Sequence, residues 1–187
     1  MNKTRMVVSV GLALGATTLM ASACTSRHVA PVPSPSLAVP STATSSTAAG
    51  AAAVQSAVAA YRNMWAAYDT AIAIPDPGDP ALARYATGNA LNVLTAGLQS
   101  VRSQGLRGTG SMMVDPKVTA VSPASAPTSV SLSDCMDTSA THLVRASSGP
   151  PYSDSPGGRR LNTATVQRQS DGSWKVTDFG IQGVGSC

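Results

Sequence analysis

There is no glutamate in this chain of 187 residues, and all nine acidic side chains are aspartate. Histidine occurs twice, phenylalanine once and tryptophan twice. That scarcity rules out an HExxH zinc site and leaves little acid–base chemistry available. The cysteines stand far apart, so there is no CxxC pair for a metal or a redox centre. A GxSxG elbow and a Walker loop are also absent. Gly105-Leu106-Arg107-Gly108-Thr109-Gly110 is glycine-rich, but it lacks the strand before it and the helix after it that a nucleotide site needs. The longest apolar run, from Met6 to Met20, is shorter than the roughly 20 residues of a membrane-spanning helix. No sequence feature identifies a substrate.

The chain does contain an export signal. Lys3 and Arg5 precede the apolar run, and the small residues Ala21-Ser22-Ala23 follow it. This is the three-part plan of a secretory signal peptide over residues 1–23. The next residue is Cys24, and here the chain resembles the bacterial lipoprotein signal, whose lipobox ends in cysteine after small residues. Ala21 stands where the lipobox favours leucine. The resemblance implies a diacylglyceryl or palmitate-bearing Cys24, with the protein held on the outer face of the cytoplasmic membrane. Ordinary signal peptidase would cut at the same bond and leave a secreted protein. Cysteine parity favours the lipid, because an exported chain rarely keeps an odd thiol, and assigning Cys24 leaves the even pair Cys135 and Cys187.

Residues 24–50 are mostly Pro, Ser, Thr, Ala and Val. Such a segment buries too little surface to offset its ordering entropy and reads as a disordered tether. At about 3.1 Å per residue in an extended form it holds a domain several tens of Å from the membrane. His28 lies here as a solvated side chain. The Ser/Thr density would also suit glycosylation. Residues 51–187 are enough for one domain. The formal charge of +4 includes Lys3, Arg5 and Arg27, so ten basic residues face nine aspartates in that domain, a net of +1. With Arg159-Arg160 as the one basic pair and no aromatic residues interleaved, no nucleic-acid partner is expected.

Within the domain, Val54, Val58, Tyr61, Trp65, Tyr68 and Ile72 recur at spacings of three and four. They predict a helix over 51–73, with Gln55, Arg62 and Asp69 on its outer side. The aromatic stripe reads first as core packed on a sheet. A ligand-lining role is compatible if the domain holds a cavity. Asp79 followed by Pro80 predicts a capped helix over 80–86. Asp76 and Asp79 do not have the spacing of a calcium loop. A third helix, 89–103, presents Leu91, Leu94, Leu98 and Val101, and Gly105 ends it. Beyond 108 the pattern turns to period two, predicting strands at 111–123, 128–137, 141–147, 160–169 and 173–182. Val130, Leu132, Asp134 and Met136 share one face. Residues 149–158 read as a hairpin loop, and Asp171-Gly172 as a tight turn. Helices followed by antiparallel strands make an α+β domain, with the helices covering one face of a curved sheet.

Over residues 51–187 the chain resembles the nuclear-transport-factor-2-like, or cystatin-like, superfamily. More narrowly, it is similar to small actinobacterial secreted lipoproteins of that fold. The matching stretches are Tyr61-Arg62-Asn63-Met64-Trp65, Asp79 to Gly88, Asp134-Cys135-Met136-Asp137, Asp171 to Val176 and Gly185-Ser186-Cys187. The resemblance implies a cone of helices on a curved antiparallel sheet, a Cys135–Cys187 disulfide and, often, a homodimer formed through the sheet. The physical case for the disulfide agrees. A loop of about 50 residues closed by a disulfide corresponds to roughly 4 kcal/mol in the chain-entropy treatment.

Enzymes of this superfamily, the ketosteroid-isomerase and SnoaL-like proteins, work inside the cone. Tyr61, Tyr68, His142, Asp134 and Asp178 are the groups available to face inward here, and none sits in a matching catalytic motif. Asp134 and Asp137, beside a cysteine, read first as strand-end or surface groups, and His142 as a lone structural histidine. Cys135 as a nucleophile would have to be reduced, which an oxidising compartment opposes. The expectation is therefore a binding or accessory domain without catalytic residues, metal or cofactor. Its candidate pocket residues are Tyr61, Trp65, Tyr68, Asp134 and His142, and its partner is a small apolar ligand or a cell-envelope protein. The alternative is a SnoaL/ketosteroid-isomerase-like enzyme acting on a small apolar ligand.

Overall fold

The structure is a computed structural model and describes residues 42–187. The signal segment, Cys24 and the tether as far as residue 41 lie outside the described residues. Helix α1 (Thr42–Ala73) begins nine residues before the expected start at 51, so residues 42–50, assigned above to the tether, are helical. Ser and Thr outnumber alanine in this stretch, so local propensity does not account for the extension, which adds turns ahead of the alanine-rich run that begins at Ala48. α1 packs through Ala57, Ala60, Tyr61, Met64 and Trp65, all buried. Val54 and Val58 are only partly buried, so the buried face is rotated from the expected stripe towards the alanines and Met64.

α2 (Pro80–Tyr85) starts as predicted. The Asp79 side chain accepts from the Ala81 amide at 2.8 Å, and Pro80 fills the first turn. α3 (Gly88–Ser103) buries Leu94, Leu98 and Val101. Among the described residues no helix is long and apolar enough to cross a membrane.

The strands form two sheets. β2 (Lys117–Ser122), β3 (Ser129–Asp137), β5 (Arg159–Arg168) and β6 (Trp174–Ile181) make a four-stranded antiparallel sheet in the order β2-β3-β5-β6. β1 (Leu106–Thr109) and β4 (His142–Arg145) pair separately. Two expectations change as a result. Residues 149–158 are not a hairpin loop, because they lead from β4 in the small sheet to β5 in the large one. The strand expected at 111–123 is cut short. Its first half makes only an isolated bridge, Met113 with Asp137, before Pro116 precedes β2. The Asp171-Gly172 turn joins β5 to β6 as expected, with Gly172 at φ +86° and the Asp171 carboxylate accepting from the Ser173 amide.

β3 alternates strictly, with Val130, Leu132, Asp134 and Met136 buried. This face meets Val166, Ala164 and Asn162 of β5, Val176 of β6, and α1. Register shifts in β2–β3 and β5–β6 mark bulges that bend the sheet around the helices. The result is the α+β cone expected above, with the helices on the concave side. The disulfide Cys135–Cys187 is present, with a Cα–Cα distance of 5.9 Å. Before reaching it the tail runs along β5, where the Gln182 amide donates to the Leu161 carbonyl and the Gly185 amide to the Arg159 carbonyl.

Candidate functional site

Sealed beneath the sheet lies a polar network. The Tyr61 hydroxyl donates to Asp134 Oδ2 at 2.9 Å and accepts from Asn162 Nδ2 at 2.8 Å. Asp134 Oδ1 accepts from the Asp115 amide at 3.0 Å. All three side chains are almost completely buried. Asp134 and Asn162 face each other across the β3–β5 ladder, and α1 brings Tyr61 over the pair. Burial first, and then the negative charge of Asp134, push the Tyr61 phenol above its usual pKa. Asp134 is therefore an internal hydrogen-bonding group and not the strand-end or surface group expected.

One step along each element, the packing opens into a cavity of about 540 Å³. Trp65, Tyr68, Asp69 and Ile72 of α1 form one wall, and Leu94 and Val101 of α3 another. Met136, Arg160, Phe179 and Ile181 line the end of the large sheet, while Gly108, Thr109, His142 and Leu143 of the small sheet close the side. Trp65 is the hinge of this wall, packing edge-on against Tyr61, Tyr68 and Phe179 with ring centroids 6.2, 6.0 and 5.2 Å apart. Glycines make room for the larger side chains. A Cβ on Gly97 would lie 2.8 Å from the Tyr68 hydroxyl, and one on Gly108 would lie 2.6 Å from Ile72.

The cavity wall mixes apolar side chains with polar ones, among them Asp69, Thr109, Thr138, His142, Asp154 and Arg160. Asp69 accepts from the Met112 amide at 3.0 Å, which pins the segment after β1 over α1. Burial raises the Asp69 pKa, and the amide opposes that rise. Burial, and then the Asp69 charge, raise the pKa of Tyr68. At the mouth, His142 Nδ1 lies 3.7 Å from Asp154 Oδ2, and that same oxygen accepts from the Leu143 amide at 2.9 Å. Arg160 points inward from β5, and its Nε is buried without a protein partner among the described residues. No group of three or more His, Cys, Asp or Glu converges there as metal ligands would.

Of the five expected pocket residues, Trp65, Tyr68 and His142 line the cavity, whereas Tyr61 and Asp134 sit behind it in the sealed network. Asp178 is exposed and accepts from Asn89 Nδ2 at 2.7 Å, away from the cavity. The sequence reading missed Asp69, which it placed on the outer face of α1, and it missed Asp154 and Arg160. Strand alternation carried a signal for Arg160. In the pair Arg159-Arg160 the two side chains must point to opposite faces, and Arg159 does take the outer face, where its Nε lies 3.2 Å from Cys135 Sγ.

No family profile matches the chain, and no curated protein matches it in sequence. Solved structures do match in shape. The intermembrane space region of the chloroplast protein ARC6 superposes with a TM-score of 0.52 at 15% identity, over 69% of this chain and 95% of that one. A ketosteroid isomerase-like protein from Erwinia carotovora atroseptica gives 0.43 at 13% identity, over 67% of this chain and 91% of that one. ActVI-ORFA from Streptomyces coelicolor gives 0.43 at 13% identity, over 68% and 95%. At these identities the likeness is one of fold alone.

Proposed function

We propose that this chain is a binding domain of the cell envelope, held at the membrane by lipid on Cys24, and that its cone holds a small, largely apolar molecule without transforming it. The observation that carries this reading is the cavity. It has about 540 Å³ of space, an apolar and aromatic part formed by Trp65, Tyr68, Leu94 and Phe179, and polar groups on the strands and loops around it, a size and mixture that suit a small-molecule site. Both aspartates on its wall are already engaged by backbone amides, Asp69 by Met112 and Asp154 by Leu143. The envelope part of the proposal is supported by the disulfide, which suits an oxidising compartment and leaves Cys24 as the third cysteine.

A second reading, proton-transfer chemistry of the isomerase type, is favoured by one feature, the placing of Tyr68 and Asp69 on the same cavity wall. Native mass spectrometry of the protein purified from its membranes separates the two. The binding reading predicts a small apolar adduct that survives prolonged incubation with its mass and retention unchanged. Conversion of that adduct would favour the enzyme. An empty protein whose melting temperature is unmoved by a panel of apolar ligands would overturn both.

A further inference from the structure

We propose that Arg160 selects the ligand, and that the cavity takes an apolar monocarboxylate whose acid group docks on the Arg160 guanidinium. This rests on the cavity being a ligand site. Arg160 occupies an inward position of β5, opposite Met136 on β3, with Phe179 and Ile181 on the same cavity wall. Its Nε is buried without a partner, and among the described residues no carboxylate lies within 4.0 Å of its guanidinium. The aspartates on the cavity wall do not compensate it. Asp69 is held by the Met112 amide, and Asp154 lies against His142 and the Leu143 amide.

Arg160 is partly buried, and a cation drawn partly out of water without a counter-charge gains when an anion joins it. A guanidinium presents a planar fork that matches one carboxylate through two parallel hydrogen bonds. One uncompensated cation fits one negative charge, and the remaining wall, with Trp65, Leu94 and Phe179, fits an apolar body. The backbone that carries Arg160 is also held in place. The Thr138 amide donates to the Gly158 carbonyl at 3.0 Å, and the Gly158 amide donates to Thr138 Oγ1 at 3.0 Å, which locks the start of β5 to the end of β3. A cation carried on a fixed strand gives specificity more than bulk affinity.

The test is calorimetric titration of the full mature chain with dodecanoate below its micellar concentration and with dodecan-1-ol below its solubility limit. The expected result is dodecanoate binding about ten-fold or more tighter than the alcohol, as charged hydrogen bonds are worth. Arg160→Met should remove that preference, and Arg160→Lys should keep part of it. Equal binding of the two probes by the wild-type chain would overturn the role of Arg160 and leave the cavity reading standing. Loss of both probes equally in a folded Arg160→Met chain would do the same. Binding of neither probe by the wild type would overturn the cavity reading and this inference with it. If Arg160→Met fails to fold, the wild-type comparison and Arg160→Lys still decide.

Discussion

Tyr61 is where the fold is most exposed to a single atom. Replacing it with phenylalanine removes one hydroxyl and leaves Asn162 Nδ2 and Asp134 Oδ2 without their partner in a buried site. We expect Tyr61→Phe to lower stability by about 2–3 kcal/mol, read as a shift in the urea midpoint at unchanged slope. The network also sets an alkaline limit. The folded state raises the pKa of both Tyr61 and Tyr68, so above about pH 10, where an unfolded tyrosine ionises, the unfolded chain releases protons that the native state retains. Stability should hold up to that pH and fall beyond it, and Tyr61→Phe should remove part of the slope. Asp69 behaves in the same sense in the acid range. Its folded pKa is raised, so its ionised form costs stability once the pH passes through that raised value. Asp69→Asn, which keeps an oxygen for the Met112 amide, should be as stable as wild type near pH 3 and more stable at pH 7. A less stable variant at pH 7 would contradict this account. At this scale the sequence was only partly informative. The inward side of β3 could be read from its alternation, but nothing local reveals that Asp134 would find Tyr61, which lies 73 residues away.

At the scale of elements, the helices were legible because their period and caps are local. Asp79-Pro80 marked α2 and Leu94, Leu98 and Val101 marked α3. Strand pairing is legible across the tight Asp171-Gly172 turn, which joins β5 to β6, but not elsewhere, because it is decided between distant segments. β1 is four residues long and begins just after a glycine, so it has no alternation long enough to read. Without it, the sequence makes β4 the neighbour of β5 and residues 149–158 the hairpin between them. The small sheet also depends on Gly110, which holds φ +78° just after β1, where a Cβ would run into the Ala140 carbonyl. Gly110→Ala should cost more than about 1–2 kcal/mol, the usual cost of a left-handed residue with a Cβ. Hydrogen exchange should show the loss concentrated in β1 and β4. Uniform exchange across both sheets would show that the small sheet is not an independent closing element.

At the scale of the whole molecule, the disulfide ties the last residue to β3 across 52 positions. Cys187→Ser should cost about 2–4 kcal/mol, measured by chemical denaturation under non-reducing conditions. Intact mass from the native membrane fraction should show a diacylglyceryl addition at Cys24 and a gain of two hydrogens on reduction. A free thiol at Cys135 would contradict the structure, and an unmodified Cys24 would remove the proposed anchor. The fold class could be read from the order of helices and strands. The cavity could not, because its walls come from two helices and two separate sheets. Trp65, Tyr68 and His142 were found through their residue type, while Arg160 was set aside as half of a basic pair.

The strands that seal the polar network also line the cavity, and the two tasks fall to different positions. On β3 the network uses Asp134 and the cavity uses Met136; on β5 they use Asn162 and Arg160. Inheritance can therefore act on the two positions separately. A lineage carrying this domain can exchange Arg160, and with it the lining of the cavity, while the residues that hold the cone together pass unchanged to its descendants.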